Sequence, residues 1–185
     1  MAHRVCPWWV GYVLVSPVRK LMQNPSSILG PFVASGMTVL ELGPGMGFFT
    51  LELARLVGPT GRVIAVDVQP RMLKALRRRA EKALLIDRID IRQAPVEGIG
   101  VEDINGKVDF VLAFAVVHEL PDEARFFREA AAALKQGCNL LLSEPIGHVT
   151  EKKFAETLQT AGGCGLRMKS RLDIRSSHSA ILVKT

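Results

Sequence analysis

The sequence predicts an α/β fold, in which a doubly wound, mostly parallel sheet carries helices on both faces. Short apolar runs alternate with segments of helical periodicity from residue 37 to the end of the sequence. This alternation is typical of consecutive strand–helix units. The first two apolar runs carry an acidic residue near their carboxyl ends, Glu41 and Asp67. A glycine-rich turn separates the first run from the first helical segment, as expected where a strand leads directly into a helix.

The limits of the predicted elements follow from the residues that interrupt the apolar runs. Gly58-Pro59 ends the first helix, and Pro70 begins the second, because proline is favoured in the first turn of a helix. Residues 89–92 alternate apolar and charged side chains, which predicts an outer strand of the sheet. The predicted strands are 38–42, 62–67, 89–92, 108–114, 139–144, 166–172 and 179–183. The predicted helices are 48–56, 70–83, 122–134 and 151–161.

Length and composition favour a single folded domain. The chain has 185 residues, 48% of them hydrophobic, and this is enough to form a core without disulfide bonds. Its three cysteines, Cys6, Cys138 and Cys164, lack a metal-binding spacing, so their pattern favours a reducing compartment. The apolar run 8–15 is too short to span a bilayer. We therefore expect a cytoplasmic protein with no membrane span.

Residues 1–36 differ from the rest of the chain and are predicted to form a separate N-terminal segment. They contain both tryptophans, Trp8 and Trp9, and the only tyrosine, Tyr12. Large aromatic side chains outside the sheet are consistent with a helical lid that excludes water from an active site. They are equally consistent with simple packing of the segment onto the domain, and an interfacial membrane contact is a third, weaker alternative. The main domain is expected to comprise residues 37–185.

The glycine-rich turn indicates a ligand-binding site. Its glycines follow the pattern Gly-x-Gly-x-Gly, and Phe48 stands where the dinucleotide-binding fingerprint has its last glycine. Glu41 lies two residues before the first glycine, where it is better suited to a cationic group than to a pyrophosphate. Asp67 ends the second predicted strand, 20 residues after Gly47, and a carboxylate at this place can accept hydrogen bonds from ribose hydroxyls. These features predict a pocket for a positively charged nucleoside.

The motif 41–47 and the strand 63–67, together with the segments 108–113 and 134–142, resemble the class I S-adenosylmethionine-dependent methyltransferases, in particular those that act on small molecules. The resemblance extends over most of the chain from residue 37 onwards. It implies a Rossmann-like sheet with strand order 3-2-1-4-5-7-6 and an antiparallel last strand. It also implies S-adenosylmethionine as cofactor and S-adenosylhomocysteine as product.

The resemblance implies a role for each residue of the cofactor site. The glycine turn would hold the methionine end of the cofactor through backbone groups, and Glu41 would bind its amino group. Asp67 would bind the ribose hydroxyls, Val68 would lie against the adenine, and the Ala113 carbonyl would complete the ammonium site. Gln93-Ala94 stands where many relatives have an acidic residue followed by alanine, so Gln93 would accept from the adenine amine and the Ala94 N–H would donate to the ring. The predicted cofactor-binding residues are Glu41, Gly43, Gly45, Gly47, Asp67, Val68, Gln93, Ala94 and Ala113.

Two histidines are the candidates for proton transfer. His118 follows the fourth predicted strand, where a neutral imidazole could accept a proton from an attacking nucleophile. The alternative is a histidine that only satisfies backbone groups of its loop. His148 lies on the loop after the fifth strand, and Glu144 at the end of that strand is a further candidate. The spacing of these three residues does not predict a metal site, and a soft nucleophile would need no base at all.

The predicted function is therefore transfer of a methyl group to a small-molecule acceptor by in-line displacement. A methyltransferase acting on RNA or protein through the basic helix 71–82 is the alternative among enzymes. The segment after the fourth strand lacks the Asn/Asp-Pro-Pro-Tyr/Phe motif with which amino-methylating enzymes hold a flipped base, so a nucleic-acid partner is not favoured. A module that binds the cofactor without turnover is another alternative. An NAD-dependent oxidoreductase is disfavoured by Phe48.

Overall fold

The computed structural model describes residues 23–95 and 97–185. Trp8, Trp9 and Tyr12, and with them most of the predicted lid segment, lie outside this part of the chain. The described strands are β1 Thr38–Leu42, β2 Arg62–Asp67, β3 Ile89–Gln93, β4 Val108–Phe114, β5 Leu134–Pro145, β6 Leu166–Ile174 and β7 Ser177–Lys184. Their spatial order is β3-β2-β1-β4-β5-β7-β6. This confirms the predicted fold class and strand order, including the outer position of β3.

Five α-helices lie in the described residues, namely α1 Pro25–Leu29, α2 Thr50–Leu56, α3 Pro70–Lys82, α4 Glu123–Ala133 and α5 Glu151–Gly163. Short 3-10 turns occupy Ile86–Arg88, Glu102–Ile104 and Val117–Glu119. None of the helices in these residues is long and apolar enough to cross a membrane. The chain divides into two compact units, which contain the described residues 23–95 and 97–185 and are described in turn.

The first unit contains β1 to β3 with helices α1 to α3. β1 pairs in parallel with β2, and β2 pairs in parallel with β3. β1 and β2 are mainly apolar and have buried side chains such as Leu40 and Ile64, whereas β3 alternates apolar and charged residues. α3 begins with Pro70 and presents Leu76 to the core, while most of its basic residues are exposed on the other face. Leu29 of α1 is fully buried, so this part of the predicted N-terminal segment packs within the first unit.

One helix of this unit begins later than predicted. The helical periodicity extends back to Phe48, but α2 begins at Thr50. Residues 45–49 form turns instead, and the Gly47 N–H donates to the Pro44 carbonyl at 2.9 Å. Phe48 and Phe49 are both buried and pack edge to face, with ring centroids 5.0 Å apart. Their apolar side chains therefore belong to the core through a turn, which a periodicity argument does not distinguish from a helix.

The second unit contains β4 to β7 with helices α4 and α5. β4 and β5 are parallel, whereas β7 is antiparallel to both β5 and β6. Its core includes the fully buried rings of Phe110, Phe127 and Phe154. The carboxylate of Asp122 caps α4 by accepting from the Arg125 N–H at 2.8 Å, and the Thr150 hydroxyl caps α5 in the same way.

The fifth strand begins earlier than predicted, at Leu134 instead of residue 139. Leu134 follows directly on the last residue of α4 and pairs with Val108, and the register then shifts before Phe110 pairs with Asn139. Gly137 has a φ of 74° within this irregular stretch. The polar sequence 135–139 does not look like a strand, because an irregular stretch of this kind does not need continuous apolar side chains.

Candidate functional site

The glycine turn joins the carboxyl end of β1 to α2. The Gly43 N–H donates to the Val66 carbonyl at 3.0 Å and so ties the turn to β2. Gly47 has a φ of 84°, and a Cβ at this position would lie 2.4 Å from Cδ1 of Leu76. Gly45 also has a positive φ, of 55°, but a Cβ there would meet no other atom within 4 Å. The turn is therefore packed from one side at Gly47 and open beside Gly45, as a backbone cradle for a ligand requires.

Glu41 lies in β1 just before this turn and is almost fully buried, with 3% of its surface exposed. Burial raises the pKa of its carboxyl group from 4.5 to about 8, and the charge of Asp67 adds to this rise. The nearby Thr50 hydroxyl lowers the pKa, although it does not reach hydrogen-bonding geometry. Among the described residues, Oε2 of Glu41 has no hydrogen-bond partner. A buried acceptor without a partner is costly, and a bound ammonium group would satisfy it.

Asp67 lies at the end of β2 and is held by two backbone groups. Its Oδ1 accepts from the Gln69 N–H at 2.9 Å, and its Oδ2 accepts from the Gly45 N–H at 3.1 Å. Burial raises the pKa of this carboxyl group, while the backbone N–H groups of Gln69, Gly45 and Val68 lower it. A carboxylate has about four lone-pair positions, so both oxygens can still accept from the hydroxyls of a ribose.

The residues predicted to contact adenine lie beyond Asp67 and at the end of β3. Val68 exposes 52% of its surface, which is unusual for an apolar side chain and suits it to contact with a planar ring. Gln93, the last residue of β3, is exposed, and its amide is available to a ligand. The Ala94 N–H donates to the Asp67 carbonyl at 3.0 Å. If the Ala94 N–H also donated to a ring nitrogen of adenine, its hydrogen bond would therefore be divided between two acceptors.

An arginine that the sequence reasoning did not select also holds the glycine turn. The guanidinium of Arg79, on α3, donates to the Met46 carbonyl within the turn. Its side chain is half-buried there, and burial lowers the pKa of Arg79. In the sequence this residue is one of several basic positions on an amphipathic helix. Only its distinct exposure, seen in the structure, separates it from Arg77 and Arg78.

In the second unit, the predicted site residues lie at the carboxyl ends of β4 and β5 or in the turns that follow them. Ala113 lies in β4 opposite Leu142. Ala115, just after β4, has a φ of 56°, a strained value for a residue with a side chain. Its N–H donates to the Ser143 carbonyl at 2.7 Å. The turn that carries His118 is therefore fixed to β5 immediately after β4 ends.

The structure brings His118, Glu144 and His148 together. Nδ1 of His118 is hydrogen-bonded to Oε2 of Glu144, and the rings of His118 and His148 lie edge to face with centroids 5.3 Å apart. Oε1 of Glu144 accepts from the Val117 N–H at 2.8 Å. Hydrogen bonding to Glu144 raises the pKa of His118, partial burial opposes this, and the charges of Glu144 and Glu119 add to the rise. In residues 23–95 and 97–185, no group of three His, Cys, Asp or Glu side chains is arranged to hold a metal ion.

A seven-stranded sheet of this order, with acidic residues at the ends of β1 and β2 on either side of a glycine turn, defines a nucleoside-binding α/β protein. Residues 34–170 match the family model described as a methyltransferase domain. The chain belongs to this family, within the class I S-adenosylmethionine-dependent methyltransferases. The match begins close to the predicted domain limit at residue 37.

Individual relatives agree with this assignment. The chain is 34% identical over 143 residues to a ubiquinone biosynthesis O-methyltransferase of Bradyrhizobium diazoefficiens, which covers 76% of this chain and 51% of the relative. It is 32% identical over 123 residues to an arsenite methyltransferase of Halobacterium salinarum, which covers 66% of this chain and 30% of the relative. The chain thus spans about half the length of these curated relatives or less.

A solved structure has a similar fold. It is the crystal structure of a SAM-dependent methyltransferase from Aquifex aeolicus, with a TM-score of 0.84 and 23% sequence identity. The match covers 97% of this chain and 100% of that one. At this level of identity the likeness concerns the fold.

Proposed function

We propose that this protein transfers a methyl group from S-adenosylmethionine to a small-molecule acceptor by in-line displacement. The observation that carries the proposal is the buried carboxyl group of Glu41, whose Oε2 has no partner among the described residues. An ammonium group is the simplest ligand that satisfies this oxygen and offsets the cost of its burial. Asp67, 9% exposed and at the end of the neighbouring strand, supplies the acceptors that a ribose needs.

The proposed cofactor site is made from the residues that the resemblance indicates. Glu41 binds the amino group, the open backbone at Gly45 approaches the methionine end, and Asp67 binds the ribose. Val68 and Gln93 contact the adenine. The cofactor supplies a methyl group on a positively charged sulfur, which makes the carbon reactive without further activation. The remaining task of the protein is to orient the acceptor, and orientation alone lowers a barrier by roughly 7–11 kcal/mol.

A small acceptor is favoured by the named relatives and by one exposed apolar side chain close in sequence to His148. One relative is named as a ubiquinone biosynthesis O-methyltransferase and another as an arsenite methyltransferase, and both names denote small acceptors. Ile146, between Glu144 and His148 in sequence, exposes 54% of its surface. An exposed apolar side chain beside polar groups is typical of a pocket for a small organic molecule.

The basic face of helix α3 is the feature that would support the alternative acceptors, RNA or protein. Five basic residues are exposed on one side of it, namely Arg71, Lys74, Arg77, Arg78 and Lys82. Such a face can follow a phosphate backbone, but no aromatic side chain lies among the basic residues to stack on a base. The same arrangement is the ordinary solvated face of an amphipathic helix, and we assign it that role.

Transfer of a labelled methyl group separates these functions. The full-length protein is incubated with tritium-labelled S-adenosylmethionine and a cell extract, which is then divided into small-molecule, RNA and protein fractions. We expect the label in the small-molecule fraction, unchanged when Lys74, Arg77 and Arg78 are all replaced by Gln. Label in RNA or protein that disappears in this triple variant would support the alternative. A protein that binds the cofactor but labels no fraction would be a binding module.

A further inference from the structure

The site of interest is the pair formed by His118 and Glu144. Glu144 lies in β5 with only 2% of its surface exposed, yet both its oxygens are engaged. Oε1 accepts from the Val117 N–H at 2.8 Å, and Oε2 is bonded to Nδ1 of His118. One buried carboxylate therefore fixes both the backbone before the histidine and the imidazole ring itself. A histidine that only satisfied its own loop would not need this second contact.

These contacts determine which nitrogen of His118 can act as a base. A carboxylate only accepts hydrogen bonds, so in the neutral imidazole Nδ1 carries the proton and Nε2 carries the lone pair. Oε1 of Glu119 lies 3.9 Å from Nε2, beyond hydrogen-bonding distance. The His118 side chain is 17% exposed, so the imidazole is not closed off from a ligand.

The other ionisable groups around this pair do not compete for its hydrogen bond. His148 contacts the His118 ring edge to face, with ring centroids 5.3 Å apart. His178 lies opposite Glu144 in the register of β7, but its Nδ1 pairs with Glu151 at 2.8 Å. The turn itself is fixed by the Ala115 N–H, which donates to Ser143 in β5. The fold thus holds the imidazole in one orientation before any acceptor binds.

We propose that His118, positioned by Glu144, accepts the proton of a phenolic hydroxyl on the acceptor, so that the methyl group is transferred to oxygen. A soft nucleophile needs no base, whereas a phenol has a pKa of about 10 and is mostly protonated at neutral pH. An aliphatic alcohol is a far weaker acid and a poorer match for an imidazole. His118 lies beyond the carboxyl end of β4, and this is the end of a parallel sheet at which ligands bind.

The proton and electron balance is complete with the cofactor of the family as the only co-reactant. The phenolic proton moves to Nε2 of His118, and a lone pair of the oxygen forms the new O–CH₃ bond. The electrons of the broken S–CH₃ bond stay on sulfur, which becomes a neutral thioether. The proton on the imidazolium then leaves to solvent. This inference rests on the proposed methyl transfer to a small molecule.

The first test measures the tautomer and the titration of the His118 imidazole and does not depend on turnover. Histidines of the full-length protein are labelled with ¹⁵N, and the His118 resonances are identified by their absence in His118→Gln. We expect a neutral form protonated at Nδ1 and a titration above the ordinary histidine range. Glu144→Gln should move the titration to lower pH and remove the preference for Nδ1–H, and Glu119→Gln should have a smaller effect. A neutral form protonated at Nε2, or a titration unaffected by Glu144→Gln, would overturn the pairing.

The second test uses catechol and thiophenol as acceptor probes with labelled cofactor. We expect methylation of catechol, reduced on the order of 10²-fold or more in kcat by His118→Gln, and little loss with thiophenol. Glu144→Gln should shift the pH–rate profile for catechol to lower pH. The matched control His178→Gln should leave the rates unchanged. Transfer to thiophenol alone or to neither probe, or equal loss with both, would overturn the assignment.

The two levels of the proposal fail in different ways. Absence of label from the small-molecule fraction, or absence of cofactor binding, would refute the proposed function itself. Label in that fraction together with catechol rates that do not depend on His118 would leave the proposed function intact. The role of His118 and Glu144 alone would then be wrong.

Discussion

The buried carboxyl group of Glu41 makes the stability of the protein depend on pH in an unusual direction. Carboxyl groups that are paired in the folded state have lowered pKa values, but burial raises the pKa of Glu41 from 4.5 to about 8. The folded state therefore holds a proton that the unfolded state has released between these two values. Linkage then requires stability to fall as pH rises through this window. The stabilising contribution is complete below about pH 4.5 and lost above about pH 8.

The size of the effect follows from the shift. One pKa unit corresponds to about 1.4 kcal/mol, so the full window is worth about 5 kcal/mol, and the two units from pH 5 to pH 7 about 3 kcal/mol. Glu41→Gln keeps the size of the side chain but cannot ionise. The difference in unfolding free energy, variant minus wild type, should therefore grow by about 3 kcal/mol between these two pH values. The pKa of Asp67 is also raised, but Asp67 is present in both proteins. Its contribution to the difference in unfolding free energy therefore largely cancels.

Urea unfolding followed by circular dichroism at pH 5, 6, 7 and 8 measures this difference. The matched control is Glu81→Gln, because Glu81 is an exposed carboxyl group on α3 and should give curves parallel to those of the wild type. Parallel curves for Glu41→Gln as well would show that Glu41 is ionised in the folded protein at pH 5. A buried carboxyl group that is ionised at pH 5 must already have a stabilising partner, so Oε2 of Glu41 would not need a bound cation.

Two further substitutions test the structure around the site. Gly47→Ala should destabilise the protein by about 1–3 kcal/mol through its positive φ, and by more through contact of the new Cβ with Leu76. Gly106→Ala is the matched control, since its φ of 67° is also positive but a Cβ would meet nothing within 4 Å; equal losses in urea unfolding would refute the contact. Asp122→Ala removes the N-cap of α4 and should cost about 1 kcal/mol, whereas Asp122→Asn should cost less in the same assay. A negligible loss in Asp122→Ala would contradict the capping role.

The strands were predictable from the sequence because their signal is local. β1, β2 and β4 are mainly apolar runs bounded by turn residues, so their limits agree with the prediction. The start of α2 was wrong because Phe48 and Phe49 are buried in a turn. The apolar pattern records burial, and it does not record which backbone hydrogen bonds are made.

The candidate site has a signal in the sequence where it depends on a single segment, and has none where it depends on contacts between distant segments. Glu41, Asp67 and the glycines lie at positions that the motif alone marks. The bond between His118 and Glu144 joins residues 26 positions apart and exists only because β4 and β5 are neighbours. The contact of Arg79 with the glycine turn spans 33 positions and has no local signal. Oε2 of Glu41 has no hydrogen-bond partner among residues 23–95 and 97–185, and this too depends on packing.

The central claim is that Glu41, Asp67 and the glycine turn bind S-adenosylmethionine, and calorimetric titration of the full-length protein with this compound tests it most directly. We expect saturable binding with one site. Asp67→Asn should weaken it on the order of 100-fold, since two hydrogen bonds to a charged group are altered, while the exposed control Asp87→Asn should bind as the wild type does. Failure of the folded wild-type protein to bind, or equal affinity in Asp67→Asn, would contradict the account.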